Sequence, residues 1–114
     1  MTVSYFVRYD IELADREAFL AHYREHHVPI LARWPGMKRV VLHTPLDWSD
    51  AYPVNRGRAV LLAQLEFDSR EAMERAFQSA ERAEAREDFK RFPAFTGTVT
   101  HQAMSSIEAW RRSA

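Results

Sequence analysis

The chain has 114 residues, room for one domain (1–114) that buries roughly two-thirds of its unfolded surface. Its 16 basic and 16 acidic residues cancel without any long run of either sign, which argues against a nucleic-acid partner. With no cysteine, disulfides and thiolate metal sites are excluded.

The N-terminus lacks the charged and apolar regions of a signal peptide, and no apolar run approaches the ~20 residues of a membrane span. A cytoplasmic protein with no membrane contact is expected.

Residues 3–10 alternate Val3, Tyr5, Val7 and Tyr9 with Ser4, Phe6, Arg8 and Asp10, a strand pattern. Asp15 suits the cap of an amphipathic helix whose apolar face runs through Phe19, Leu20, Tyr23, His27, Ile30, Leu31 and Trp34. Pro29 has no N–H and crowds the preceding turn, so a kink, or an end and restart, is expected near His27. Pro35-Gly36 then marks a tight turn, because Pro presets its own φ and Gly accepts a positive one. A second strand is predicted at 37–44, a long loop at 45–57 and a third strand at 58–67. Asp68 is expected to open a second helix, with Glu71 at the capping-box position. Charged residues 81–91 extend the helical region to Pro93, and a last strand is predicted at 96–108.

The order β-α-β-β-α-β matches the ferredoxin-like arrangement, an α+β fold with a four-stranded antiparallel sheet and two helices on one face. Its first and third strands normally lie in the centre. Here both carry apolar residues on both faces, which a sheet wet on one side would not. The open face therefore predicts a homodimer.

Phe19 and Tyr23, then His27-x-Pro29-Ile30, then Pro35-Gly36 eight residues after the histidine, resemble the EthD family of the dimeric α+β barrel superfamily. The likeness in element order covers essentially the whole chain; His22 departs from it, standing where an aromatic residue is common. The resemblance implies a small, cofactor-free homodimer with a pocket between sheet and helices. Such families include ether-degradation accessory proteins, lactone isomerases, polyketide cyclases or dehydratases, and cofactor-independent monooxygenases.

His27 shares the apolar face with Tyr23 and Trp34, where it suits a general acid or base; the alternative is a core histidine bonded to a carbonyl freed by Pro29. His43 and His101, on the second and fourth strands, are candidates for a second proton-transfer group, or else lie in an interface. Tyr23, Trp34 and Tyr9 are candidate substrate contacts, though Tyr5 and Tyr9 also suit core packing. Trp48 and Tyr52 in the long loop suggest an aromatic lid, or a plug at a dimer edge. Asp88, near the end of the second helix, is placed to orient a histidine unless it belongs to a solvated charged face. Gln64 and Gln102 are candidates to polarise a carbonyl. His22, Glu25 and His26 spell an H-x-x-E-H string, but their face points away from the core, so solvated residues are expected rather than a metal site.

The expected function is histidine-assisted proton transfer on a small hydrophobic carbonyl or lactone compound: isomerisation, dehydration or cyclisation. A cofactor-free monooxygenase and a non-catalytic binding protein of a degradation pathway are the alternatives.

Overall fold

Residues 2–113 are described by a computed structural model. Alternation builds β1 (Thr2–Glu12), whose Val3, Tyr5, Val7, Tyr9 and Ile11 are all buried on one face. Asp15 caps α1 (Arg16–His22), its carboxylate accepting the Ala18 N–H at 2.9 Å. At Pro29 the chain neither breaks nor restarts. It runs through a π-helical turn, Tyr23–His27, directly into α2 (Val28–Ala32). The Val28 N–H reaches back five residues to the Tyr23 carbonyl, and this wider turn gives the proline ring room against the carbonyls behind it. Gly36 then takes φ of +80°, as the Pro-Gly turn requires.

After β2 (Arg39–His43), residues 44–60 form a long connection to β3 (Leu61–Phe67). The next helix begins one residue later than Asp68 predicts. The Ser69 hydroxyl accepts the Ala72 N–H at 3.1 Å, while Asp68 pairs with Lys38 at 3.2 Å. The helical region is also two helices, α3 (Arg70–Phe77) and α4 (Ala80–Phe89), because Ser79 caps the second through the Arg82 N–H at 3.1 Å. β4 (Thr96–Ser106) completes the order.

The sheet is antiparallel in the order β2-β3-β1-β4, with the first and third strands central, as the sequence predicts. Tyr5 lies opposite Leu65 and Ala103, and Val7 opposite Ala63 and His101; these share the face covered by helices. Phe19, Tyr23, Leu61 and Phe67 fill the core there. The other face carries Phe6, Leu62 and Met104 among Arg8, Gln64, Thr100 and Gln102. Residues 44–60 and 107–113 leave Leu46, Tyr52, Ile107 and Trp110 largely exposed. No helix among the described residues is long and apolar enough to cross a membrane.

Gly97 pairs with Ile11 at φ of +121°, a conformation closed to residues with a side chain. A Cβ there would collide with the Asp10 carbonyl oxygen and lie 2.8 Å from the Ile11 Cα. Gly97→Ala is therefore expected to destabilise the protein by about 1–3 kcal/mol, seen as a lower midpoint of thermal or urea unfolding. An unchanged midpoint would contradict the close approach of β1 and β4.

Candidate functional site

The π-turn determines which histidines meet. In a regular α-helix His22 and His27 would face directions about 140° apart. Widening the turn brings both toward α4, where Asp88 receives them. His27 Nδ1 lies 2.9 Å from Asp88 Oδ2, and His22 Nε2 lies 3.1 Å from the same oxygen and 3.2 Å from Oδ1. His27 and Asp88 are buried, and the His22 side chain is mostly so. Phe92 packs edge-on against the His27 ring at 4.8 Å, and Tyr23 lies at the same centroid distance.

Burial resists ionisation of Asp88, but hydrogen bonds from His27 and His22 outweigh it and hold the carboxyl below its ordinary range. His27 is shifted down from the usual imidazole value, mainly by burial, with Asp88 pulling the other way. At neutral pH the pair is thus an ionised carboxylate accepting the Nδ1–H of a neutral imidazole. No group among the described residues engages Nε2, which keeps a free lone pair.

His27 lies in the wall of a cavity between sheet and helices, a narrow slot of about 40 Å³. Tyr9, Tyr23, Leu31, Trp34, Ala85 and Phe89 give it apolar sides. Burial raises the Tyr9 and Tyr23 hydroxyls well above the ordinary phenol value, so they are uncharged. Across the sheet, the Tyr5 hydroxyl is hydrogen-bonded to His101 Nδ1. Burial lowers the His101 imidazole, and Arg86 and Arg82 lower it further. Tyr5 is raised by burial against the pull of the same two arginines.

Of the candidates read from the sequence, His27, His101, Tyr23, Trp34 and Tyr9 line this cavity, and Asp88 stands behind His27. His43 does not reach it. It lies on the open sheet face, exposed, with Nε2 3.0 Å from Gln64 Oε1. Gln64 and Gln102 share that face. Trp48 and Tyr52 line no part of the cavity; Trp48 borders a surface hollow with Arg8, His43 and Leu62, and Arg56 stacks 4.1 Å above its ring. His22 corrects the expectation of a solvated residue. Its partnership with Asp88 is invisible to a reading at 3.6 residues per turn. Arg82 and Arg86 belong to the segment the sequence predicts as a charged helix, and their i, i+4 spacing is the signal that places them on one face of α4. Glu25 and His26 are exposed, and no cluster of three or more histidines and carboxylates suited to a metal occurs among the described residues.

The structure is thus a ferredoxin-like α+β sheet with a histidine–carboxylate pair under its helices. The EthD domain profile matches residues 12–96, and the chain belongs to the EthD family. An EthD family protein from Bacillus halodurans is 20% identical, with 94% of this chain and 100% of that one aligned and a TM-score of 0.75. An EthD-like protein from Ralstonia eutropha is 18% identical over 96% of this chain and 95% of its own, with a TM-score of 0.68. SnoaB, a cofactor-independent oxygenase from Streptomyces nogalater, is 15% identical over 95% of each chain, with a TM-score of 0.65. At these identities the likeness establishes the fold. No curated protein sequence matches this one significantly.

Because Asp88 raises the His27 value against burial, Asp88→Asn should lower it further. Titration of the imidazole nitrogens by NMR should give a wild-type His27 value below the ordinary one, with the neutral ring protonated on Nδ1. A wild-type value above the ordinary range, or an Nε2–H tautomer, would contradict the pairing. Both His27 and Asp88 are depressed by folding, so their contribution to stability is complete above their unfolded values and is lost as pH falls through the folded ones.

Proposed function

We propose that this protein is a cofactor-independent enzyme that moves a proton on a small hydrophobic carbonyl compound, aromatic or lactone-type, with His27 as the base. The reading rests on one observation. A buried carboxylate fixes His27 through Nδ1 at 2.9 Å, in the wall of an apolar slot, and leaves Nε2 unengaged. An imidazole kept neutral by its surroundings is a competent base at pH 7, and Asp88 stabilises the imidazolium formed as the proton arrives. Nε2 takes the proton from a carbon beside the carbonyl, and the C–H electron pair becomes an enolate. Return of the proton to a different carbon gives isomerisation; loss of a β-hydroxide gives dehydration. The Tyr5–His101 pair, on the sheet side of the same cavity, is the candidate second proton-transfer group.

A second reading shares the first step. The enolate or phenolate formed by His27 would meet O₂ in the dry slot, as in a cofactor-free monooxygenase; the fold shared with SnoaB supports keeping it. Oxygen uptake separates the two.

The open sheet face and the exposed Leu46, Ile107 and Trp110 support a homodimer formed sheet to sheet. Light scattering at micromolar concentration should give twice the chain mass, and Leu62→Arg on that face should halve it. A wild-type monomer would end this part of the proposal.

The proton-transfer reading is tested with aromatic ketones and lactones first selected by their stabilisation of the folded protein. Incubated in D₂O, a bound compound should incorporate deuterium beside its carbonyl. His27→Ala should slow that incorporation by about 10²- to 10⁴-fold. Exchange at the wild-type rate in His27→Ala would overturn the assignment.

A further inference from the structure

Four side chains at the helix α4 end of the cavity have no part in the His27–Asp88 pair. Arg82 and Arg86 stand one helical turn apart on α4, and both line the slot with Trp34 and His101. Neither guanidinium is in an ion pair among the described residues. Arg33 pairs with Glu84, Lys90 with Glu87, Lys38 with Asp68 and Arg39 with Glu66, and what sets Arg82 and Arg86 apart from the other unpaired cations, such as Arg24 and Arg75, is that both line the cavity. In a chain with equal numbers of acids and bases, two adjacent unpaired cations facing a cavity mark a locally positive site.

Arg82 is held rather than free. Its guanidinium carbon lies 4.7 Å from the Phe77 ring centroid and 6.0 Å from that of Trp34, and one of its nitrogens is 3.5 Å from the Phe77 carbonyl. Aromatic faces fix the plane of a guanidinium while leaving its other N–H groups available. Trp34 supplies an independent sign. Its indole Nε1–H is buried and has no acceptor, the one such side-chain atom among the described residues. A buried donor without a partner is costly, and one in a cavity wall can be satisfied by a ligand.

We infer that this end of the cavity is an anion subsite: Arg82 and Arg86 receive the carboxylate of a substrate that is itself a flat, unsaturated or aromatic carboxylic acid. The proposal deepens the proton-transfer reading by naming the class of its substrate. A planar carboxylate matches the guanidinium fork, and a thin ligand suits a slot of this width. The Trp34 N–H and the imidazole edge of His101 are available to further oxygens. Asp88 does not compete for the arginines, because both its oxygens are engaged by His22 and His27. A ligand anchored by its acid group thus reaches toward His27 with its apolar part.

The test compares affinities of carboxylate and primary-amide pairs of equal shape: benzoate with benzamide, cinnamate with cinnamamide, and 2-naphthoate with 2-naphthamide. Calorimetry on the wild-type protein should show at least one acid binding about 10- to 100-fold more tightly than its amide. Arg82→Gln/Arg86→Gln should abolish that preference while leaving amide affinity unchanged, and Arg24→Gln at the exposed side of the π-turn should preserve it. Should the double variant fail to fold, Arg86→Gln, which changes an exposed residue, must still cut the preference several-fold. Equal binding within every pair, or a preference that survives loss of both arginines, would overturn the subsite. Deuterium exchange distinguishes this from the reading beneath it. A carboxylate preference retained in His27→Ala with undiminished exchange would remove the base and leave the subsite standing. Exchange lost in His27→Ala with no preference in the wild type would do the reverse.

Discussion

A carboxylate placed among aromatic rings in a protein interior is expensive unless donors surround it, and the fold around Asp88 is organised to supply them. Each of its oxygens meets an imidazole, and both imidazoles come from the helical segment that opposes α4. The contact is chemical and architectural together. It ties the π-turn to α4 across the cavity roof, and it fixes which nitrogen of His27 carries hydrogen. Removal of either histidine would leave a buried charge with fewer donors, so the two rings support one another through a shared acceptor.

The π-turn is the local device behind this arrangement. Pro29 denies the helix one hydrogen bond and crowds the turn before it, and the chain responds by widening rather than breaking. Widening places residues five apart on one face. It also leaves Tyr23 and His27 ring against ring at 4.8 Å, so that one face of the imidazole is packed while its edge remains open. A proline placed for backbone reasons thereby governs where a proton acceptor stands.

Much of the fold was legible because its signals are local. Period-two alternation in β1, the Asp15 cap, the Pro35-Gly36 turn and the order of elements each rest on a few neighbouring residues, and the sheet order follows from them. The site was legible in part. His27, Tyr23 and Trp34 share a helical stripe, and His101 follows strand parity once β4 is placed. The rest depends on what sequence spacing does not carry. His22 joins the site only because the helix is wound differently there. Ser79 divides a segment whose charges looked continuous, and that division sets the direction in which α4 presents Arg82, Arg86 and Asp88. Trp48 and Tyr52 are candidates by residue type and His43 by its place on the second strand, but the long connection and the parity of β2 carry Trp48 and His43 to the open side of the sheet, and Tyr52 is exposed.

The edge strand β4 has a consequence for handling the protein. It runs for eleven residues, Thr96–Ser106, and contains no proline, lysine, arginine or acid. Natural sheets usually blunt such borders with charge or a bulge to keep foreign strands from adding on. Here the outward row of amides and carbonyls extends over about 36 Å with no such guard. Partial unfolding or high concentration would therefore favour strand-by-strand polymerisation from this border, and a single lysine on its solvent side is the change that would protect it.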